Sequence, residues 1–113
     1  MADHIKIRPA QGTWVVRAAG AVVGESKNAL ELSEGDYPPV IYFPRADLAM
    51  AFLDPTEKTS HCPFKGDASY FTIEAKSGPI PNAGWSYEAP NDAVAEIKDY
   101  IAFYHEKVAI EQV

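Results

Sequence analysis

The stretch TWVVRAAGAVV, residues 13–23, decides the fold class because it has the composition of a β-hairpin. Its two arms, residues 13–17 and 21–23, are rich in β-branched and aromatic side chains, and Gly20 can adopt the positive φ of a tight turn. Outward from this hairpin, residues 5–7 alternate apolar and polar side chains with period two. Further short strands are predicted at residues 29–32, 40–43, 69–73 and 84–87. The sequence therefore predicts a mainly antiparallel β-domain.

Two segments between these strands are predicted to be irregular or helical. Residues 44–50 can form one or two helical turns, with Pro44 near the first helical position. Residues 54–66 show no hydrophobic period and are rich in Pro, Thr, Ser and Gly, which indicates a loop.

The last element is predicted to be an α-helix. Apolar side chains spaced 3, 4, 3 and 4 positions apart form one helical stripe, consisting of Val94, Ile97, Ile101, Tyr104 and Val108. Asn91 and Asp92 are suited to the N-terminus of a helix, where a polar side chain caps free N–H groups and a negative charge interacts favourably with the helix dipole. The helix is predicted over about residues 91–108. We expect this helix to follow a β core over about residues 5–88, within one domain covering residues 1–113.

Composition and charge exclude several classes of function. The 113 residues carry a net charge of −6, which disfavours nucleic-acid binding through phosphates. A single cysteine, Cys62, excludes an internal disulfide and every zinc site built on cysteine pairs. The N-terminus shows no signal-peptide pattern, and no apolar run is long enough to cross a membrane. We expect a cytoplasmic monomer or weak homodimer that binds neither nucleic acid nor membrane and needs no cofactor.

The middle of the chain is where a small-molecule pocket is predicted. Nine of the 13 aromatic residues and seven of the nine prolines lie between Tyr37 and Tyr87. Rigid aromatic walls with a few polar groups are typical of ligand pockets, although aromatic residues also dominate ordinary cores. Cys62 and Lys65 are the catalytic candidates, because a nearby positive charge favours the reactive thiolate. The alternatives are a buried, inert Cys62 and a solvated Lys65.

Other catalytic patterns are weak or missing in the sequence. The soft ligands His4, His61, Cys62 and His105 have no metal-ligand spacing, so no metal site is predicted. The sequence has no Gly-rich phosphate loop and no serine-hydrolase elbow. Its scattered aspartates do not form the paired carboxylates that hold Mg²⁺ for nucleotidyl transfer.

Four blocks of the sequence resemble the bacterial and fungal family called domain of unknown function 427. The blocks are YPPVIYFPRAD at residues 37–47, TSHCPFKGDASY at 59–70, AGWSY at 83–87 and IAFY at 101–104. The resemblance extends from about residue 7 to residue 108 and implies a β-tent-like fold. Members are sometimes labelled nucleotidyltransferases. The β-tent relatives hold zinc with two cysteine pairs, and this chain has one cysteine, so the metal does not carry over.

The resemblance also implies a set of site residues, because its motif positions are chemically mixed and not uniformly apolar. They correspond to Arg45, Asp47, Thr59, Cys62, Lys65, Gly66, Tyr70, Trp85, Tyr87 and Tyr104. Arg45 and Asp47 could instead form a structural ion pair beside a turn.

Three functions are therefore weighed: a small-molecule binding or catalytic pocket, a nucleotidyltransferase, and a non-enzymatic interaction module. For the first, we expect Arg45, Cys62, Lys65, Tyr70, Trp85 and Tyr87 to share one pocket. Two cations in one cavity repel each other, which favours an anionic ligand.

Overall fold

The computed structural model describes residues 4–113, and these residues form mainly β structure, as predicted. Within this range, ten strands assemble into three antiparallel sheets, ordered β1-β4-β5, β10-β2-β3 and β6-β7-β8-β9. The strands are β1 (Ile5–Pro9), β2 (Trp14–Ala18), β3 (Ala21–Ser26), β4 (Leu30–Glu34), β5 (Val40–Tyr42), β6 (Leu53–Cys62), β7 (Gly66–Ala75), β8 (Gly78–Tyr87), β9 (Ile101–Phe103) and β10 (Ala109–Gln112). No helix in the described part of the chain is long and apolar enough to cross a membrane.

The hairpin predicted from residues 13–23 is present as β2 and β3. Ala19 and Gly20 form its two-residue turn with φ values of 50° and 82°. A positive φ at both turn residues is the pattern of a type I′ turn, whose twist matches the twist of the flanking strands. Of the helical turns predicted at residues 44–50, one is present as a short 3₁₀ segment at Arg45–Asp47. A second 3₁₀ segment, Met50–Phe52, begins at the last residue of the predicted range.

The prediction of a C-terminal α-helix over residues 91–108 is wrong. A short 3₁₀ segment, Asp92–Ile97, is interrupted at Val94 by non-helical backbone, and Asp99 then takes a φ of 67°. The chain continues as β9, which pairs with β8. Four of the five residues in the run Tyr100–Tyr104 are aromatic or β-branched, and pairing with a neighbouring strand overrides the helical spacing.

The prediction of a loop over residues 54–66 is also wrong, because most of this segment is the edge strand β6. Its inner side pairs with β7, with an irregular register between Pro55 and Thr59. Most of its side chains are exposed, so the strand has no alternating hydrophobic pattern. A proline and charged residues are typical of an edge strand, where they discourage pairing with other chains.

A short bridge between β5 and β9 joins two of the sheets. Phe43, directly after β5, donates its N–H to the carbonyl of Ile101 at 2.8 Å and accepts the N–H of Ile101 at 2.9 Å. The sheet β1-β4-β5 therefore meets the sheet β6-β7-β8-β9 along this line. On one side of the junction lies a buried cluster that is rich in tyrosine, consisting of Leu32, Tyr42, Ala68, Tyr70, Tyr87, Val94, Ile97 and Ala102.

Candidate functional site

A groove of ≈ 240 Å³ opens above the tyrosine-rich cluster, where the two joined sheets meet. It receives side chains from β4, β5, β7 and β8, from the β4–β5 loop and the β6–β7 turn, and from the residue after β9. We call it the tyrosine groove. Its lining residues are Leu32, Glu34, Tyr37, Pro38, Val40, Tyr42, Lys65, Tyr70, Trp85, Tyr87 and Tyr104.

An ion pair between Lys65 and Glu34 forms part of the lining of the tyrosine groove. The Lys65 ammonium donates to Glu34 Oε1 at 2.7 Å, and its side chain is almost completely buried. This hydrogen bond is the main reason why the pKa of Glu34 lies below its usual value, and burial of the carboxylate opposes the shift. His4 lies 3.4 Å from the other carboxylate oxygen and is a second, weaker partner. The Lys65 charge is therefore already neutralised within the fold.

The aromatic side chains of the groove are held by contacts with one another. Trp85 packs against Tyr104 with ring centroids 4.6 Å apart, and its indole N–H donates to the Tyr42 hydroxyl at 3.3 Å. The Tyr70 hydroxyl is 2.9 Å from Ser60 Oγ, and the Lys58 ammonium lies 4.7 Å from the Tyr70 ring centroid. These contacts fix the rings, so the walls of the groove are largely preformed.

Burial controls the ionisation of the tyrosines in this groove. It raises the pKa of Tyr42 and of Tyr87 far above the usual value for a phenol, because a phenolate is poorly solvated there. Burial, with the neighbouring Tyr70 hydroxyl as a smaller cause, raises the pKa of Tyr104 to about 12. All three side chains are therefore neutral hydroxyl groups at ordinary pH.

A larger, mainly apolar groove adjoins the first and has a volume of ≈ 670 Å³. The two grooves share Pro38, Val40, Trp85 and Tyr104 as a common wall. Phe103 and Ile110 extend the apolar surface away from the ion pair. A molecule bound beside Lys65 and Glu34 has room to extend into this second groove.

The structure brings together five of the residues predicted for the site: Lys65, Tyr70, Trp85, Tyr87 and Tyr104. They come from positions 65 to 104, so their proximity follows from the sheet junction and not from closeness in sequence. Cys62 is half-buried against the same tyrosine-rich cluster but does not line the groove. Their functional roles remain predictions.

Arg45 does not line the groove that contains Lys65, so the expectation that these two cations share one pocket is wrong. Its guanidinium donates to Ser86 Oγ at 3.1 Å and to Glu88 at 2.8 Å. Neighbouring side chains on a strand point to opposite faces, so Ser86 faces away from the groove that Trp85 and Tyr87 line. Arg45 also donates to the Asp99 carbonyl oxygen, which fixes the chain before β9. Its contacts are those of a structural residue.

Asp47 and Thr59 also lie outside the tyrosine groove. Asp47 accepts a 2.6 Å hydrogen bond from the buried Ser26 hydroxyl, which attaches the first 3₁₀ segment to β3. The proposed Arg45–Asp47 ion pair is not formed, because Arg45 pairs with Glu88. Thr59 lies exposed on β6 opposite Ser69, on the face of the sheet away from Tyr70.

Six of the groove residues were not among the predicted site residues, and three of them carry polar groups: Glu34, Tyr37 and Tyr42. Tyr37 and Tyr42 lie within the block at residues 37–47, in which Arg45 and Asp47 were the predicted site residues. Glu34 lies just beyond the strand predicted at residues 29–32 and was not a candidate, although a buried lysine such as Lys65 requires an anionic partner. Nothing local in the sequence identifies which of the 16 acidic residues is that partner.

Comparison with known proteins gives a family and no activity. A search of curated proteins found no match. The model of one protein family, described as domain of unknown function 427, matches residues 6–113. The match covers nearly the whole chain and agrees with the resemblance of its four sequence blocks, so this chain belongs to the family of domain of unknown function 427.

Proposed function

We propose that the tyrosine groove is a binding site for a small organic molecule. The observation that carries this proposal is the convergence of aromatic rings and one ion pair, from seven separate parts of the chain, on a single groove. Binding sites for small molecules typically combine apolar, aromatic walls with a few polar groups that fix orientation. The volume of ≈ 240 Å³ suits a compact molecule or one ring of a larger molecule, whose remainder extends into the adjoining groove.

Binding is favoured over catalysis by the positions of the two candidate residues. Lys65 is engaged by Glu34, and we assign it to ligand binding. Cys62 is half-buried beside the groove and is not part of its lining. A nucleotidyltransferase needs acidic groups to hold a divalent metal, and Glu34 is the one carboxylate among the described lining residues. That activity remains a prediction with no specific observation to favour it.

Thermal-shift screening tests the proposal with single-ring metabolites and nucleotides, each with and without Mg²⁺. A ligand at 100 times its Kd stabilises the folded state by about 2.7 kcal/mol. The diagnostic variant is Tyr104→Leu, which removes the ring that packs on Trp85. Its matched control is Phe52→Leu, the same kind of change at an exposed aromatic side chain outside both grooves.

We expect a ligand-induced shift that Tyr104→Leu reduces and Phe52→Leu leaves intact. A shift that is equal in both variants would place the bound molecule elsewhere and refute the proposal. Stabilisation by a nucleoside triphosphate only with Mg²⁺ would favour nucleotidyl transfer. A complete lack of response would favour an interaction module instead. The expected cytoplasmic location, monomeric or weakly dimeric state and β-tent likeness remain predictions beside this proposal.

A further inference from the structure

Within residues 4–113, the Tyr87 hydroxyl has no hydrogen-bond partner. Tyr87 is 6% exposed, and none of the hydrogen bonds between described side chains involves its hydroxyl. Every fully enclosed polar side-chain atom in residues 4–113 does have a partner. The Tyr87 hydroxyl is therefore not fully enclosed, and the tyrosine groove is the open space that this residue lines. A nearly buried hydroxyl of this kind has an unused hydrogen-bond donor available to a ligand.

Two further donors face the same groove. Lys65 is 9% exposed and has three N–H bonds, one of which is directed to Glu34. The Tyr42 hydroxyl accepts the Trp85 indole N–H, so its own hydrogen is still available for donation. The polar part of the groove is thus rich in donors. A ligand oxygen with lone pairs complements these donors.

The charges in the groove favour an uncharged ligand. The attraction of Lys65 for an anion is opposed by the repulsion from Glu34, whose oxygen is 2.7 Å from the ammonium. An anion would also lose its hydration on entering a site walled by aromatic rings. The earlier expectation of an anionic ligand rested on two unpaired cations in one pocket, an arrangement that is not present because Arg45 lies on the other face of β8.

The walls select for a flat ring. Trp85 and Tyr104 are tilted by 43° to each other, and Tyr42 meets Trp85 edge-on. Flat rings pack on such surfaces with aromatic contacts that exceed the effect of buried area alone. We propose, building on the proposed function, that the ligand of the tyrosine groove is an uncharged planar ring that carries a carbonyl or amide oxygen. This oxygen accepts hydrogen bonds from the Tyr87 hydroxyl and the Lys65 ammonium.

Four simple probes separate the features of this proposal: benzamide, benzoate, toluene and cyclohexanecarboxamide. Each is titrated into ¹⁵N-labelled protein, and the Trp85 indole N–H resonance reports on the groove. We expect benzamide to bind most tightly. Tyr87→Phe removes one hydrogen bond to a neutral acceptor and should weaken benzamide about three- to tenfold. It should leave toluene unchanged. Tyr100→Phe is the matched control, because Tyr100 lies outside both grooves.

Each other outcome has a distinct meaning. Tighter binding of benzoate than of benzamide refutes the uncharged ligand, and equal binding of toluene and benzamide refutes the acceptor oxygen. Either result would still show that the groove binds small molecules. Equal binding of cyclohexanecarboxamide refutes the planar ring. If none of the four probes shifts the Trp85 resonance, this inference fails, and the screen above decides separately whether the groove binds any molecule. If Tyr87→Phe does not fold, the ranking of the four probes on the unmodified protein still decides the matter.

Discussion

Replacing Lys65 by methionine should destabilise the protein strongly, because it removes one partner of a nearly buried ion pair. Methionine preserves most of the side-chain volume and leaves Glu34 without its closest cation. Breaking a fully buried pair costs about 3–5 kcal/mol. The Glu34 side chain keeps 22% exposure and has His4 at 3.4 Å, so part of its charge stays solvated. We therefore expect a loss of about 2 kcal/mol in the free energy of unfolding, or about 10 °C in Tm.

The pH dependence of this loss identifies its cause. The pKa of Glu34 is lowered in the folded state, so its contribution to stability is present above the ordinary pKa of 4.5. It is lost as the pH falls through the lowered folded-state value. The stability difference between the unmodified protein and Lys65→Met should therefore shrink in acid. Urea unfolding at several pH values, followed by tryptophan fluorescence, measures this difference.

Two comparisons make the result interpretable. Arg8→Met breaks the ion pair with Glu31, in which the Arg8 side chain is 71% exposed, and should cost less than about 1 kcal/mol. Glu34→Gln combined with Lys65→Met removes both charges and should be more stable than the sum of the single changes predicts. The reasoning is refuted if Lys65→Met costs as little as Arg8→Met, or if its cost is independent of pH.

Three further predictions concern two packing contacts of β3 and the ionisation of Tyr104. Ser26→Ala removes the buried hydroxyl that bonds to Asp47 and should cost about 1–2 kcal/mol in urea unfolding. Gly24→Ala should lower the free energy of unfolding by about 1–3 kcal/mol, because a Cβ there would lie 2.5 Å from a Leu48 methyl carbon. An unchanged free energy of unfolding would disprove this close packing. Tyr104, with its pKa raised to about 12, should keep its proton in the folded state while the unfolded chain loses it, so stability falls as the pH rises above about 10. The ultraviolet absorbance of phenolate, compared with that of Tyr104→Phe, measures this ionisation.

The parts of the fold that were predictable are those with local causes. The β2–β3 hairpin follows from β-branched arms and a glycine suited to positive φ, and the structure contains it. The edge strand β6 was not predictable in this way. Its side chains are mostly exposed, so burial leaves no alternating pattern in its sequence, and only its pairing with β7 makes it a strand.

The candidate site was predictable in its residue types and less so in its membership. The aromatic character of the segment from Tyr37 to Tyr87 indicated a pocket, and Tyr70, Trp85 and Tyr87 do line one groove. The face of the sheet on which a side chain lies depends on the register of strand pairing. A change of register by one residue would move every side chain of the strand to the opposite face. Spacing alone therefore could not show that Arg45 lies on the opposite face of β8 from Lys65.

The error at the C-terminus and the position of the groove have the same origin. Five residues were assigned to the buried stripe of a helix. Val94, Ile97, Ile101 and Val108 are buried, and Tyr104 is partly buried. The buried positions of this segment were therefore mostly predicted correctly, whereas its backbone conformation was not. As a helix, the segment could not form the reciprocal hydrogen bonds that join Ile101 to Phe43.

Those hydrogen bonds make β9 the link between the sheet β1-β4-β5 and the sheet β6-β7-β8-β9. Glu34 belongs to the first sheet and Lys65 to the turn between two strands of the second, so their ion pair crosses the junction. Tyr104, the residue directly after β9, completes the wall against Trp85. The tyrosine groove therefore depends on a strand pairing between positions 43 and 101. No local pattern can specify a contact of that sequence separation, because it forms only when both sheets have assembled.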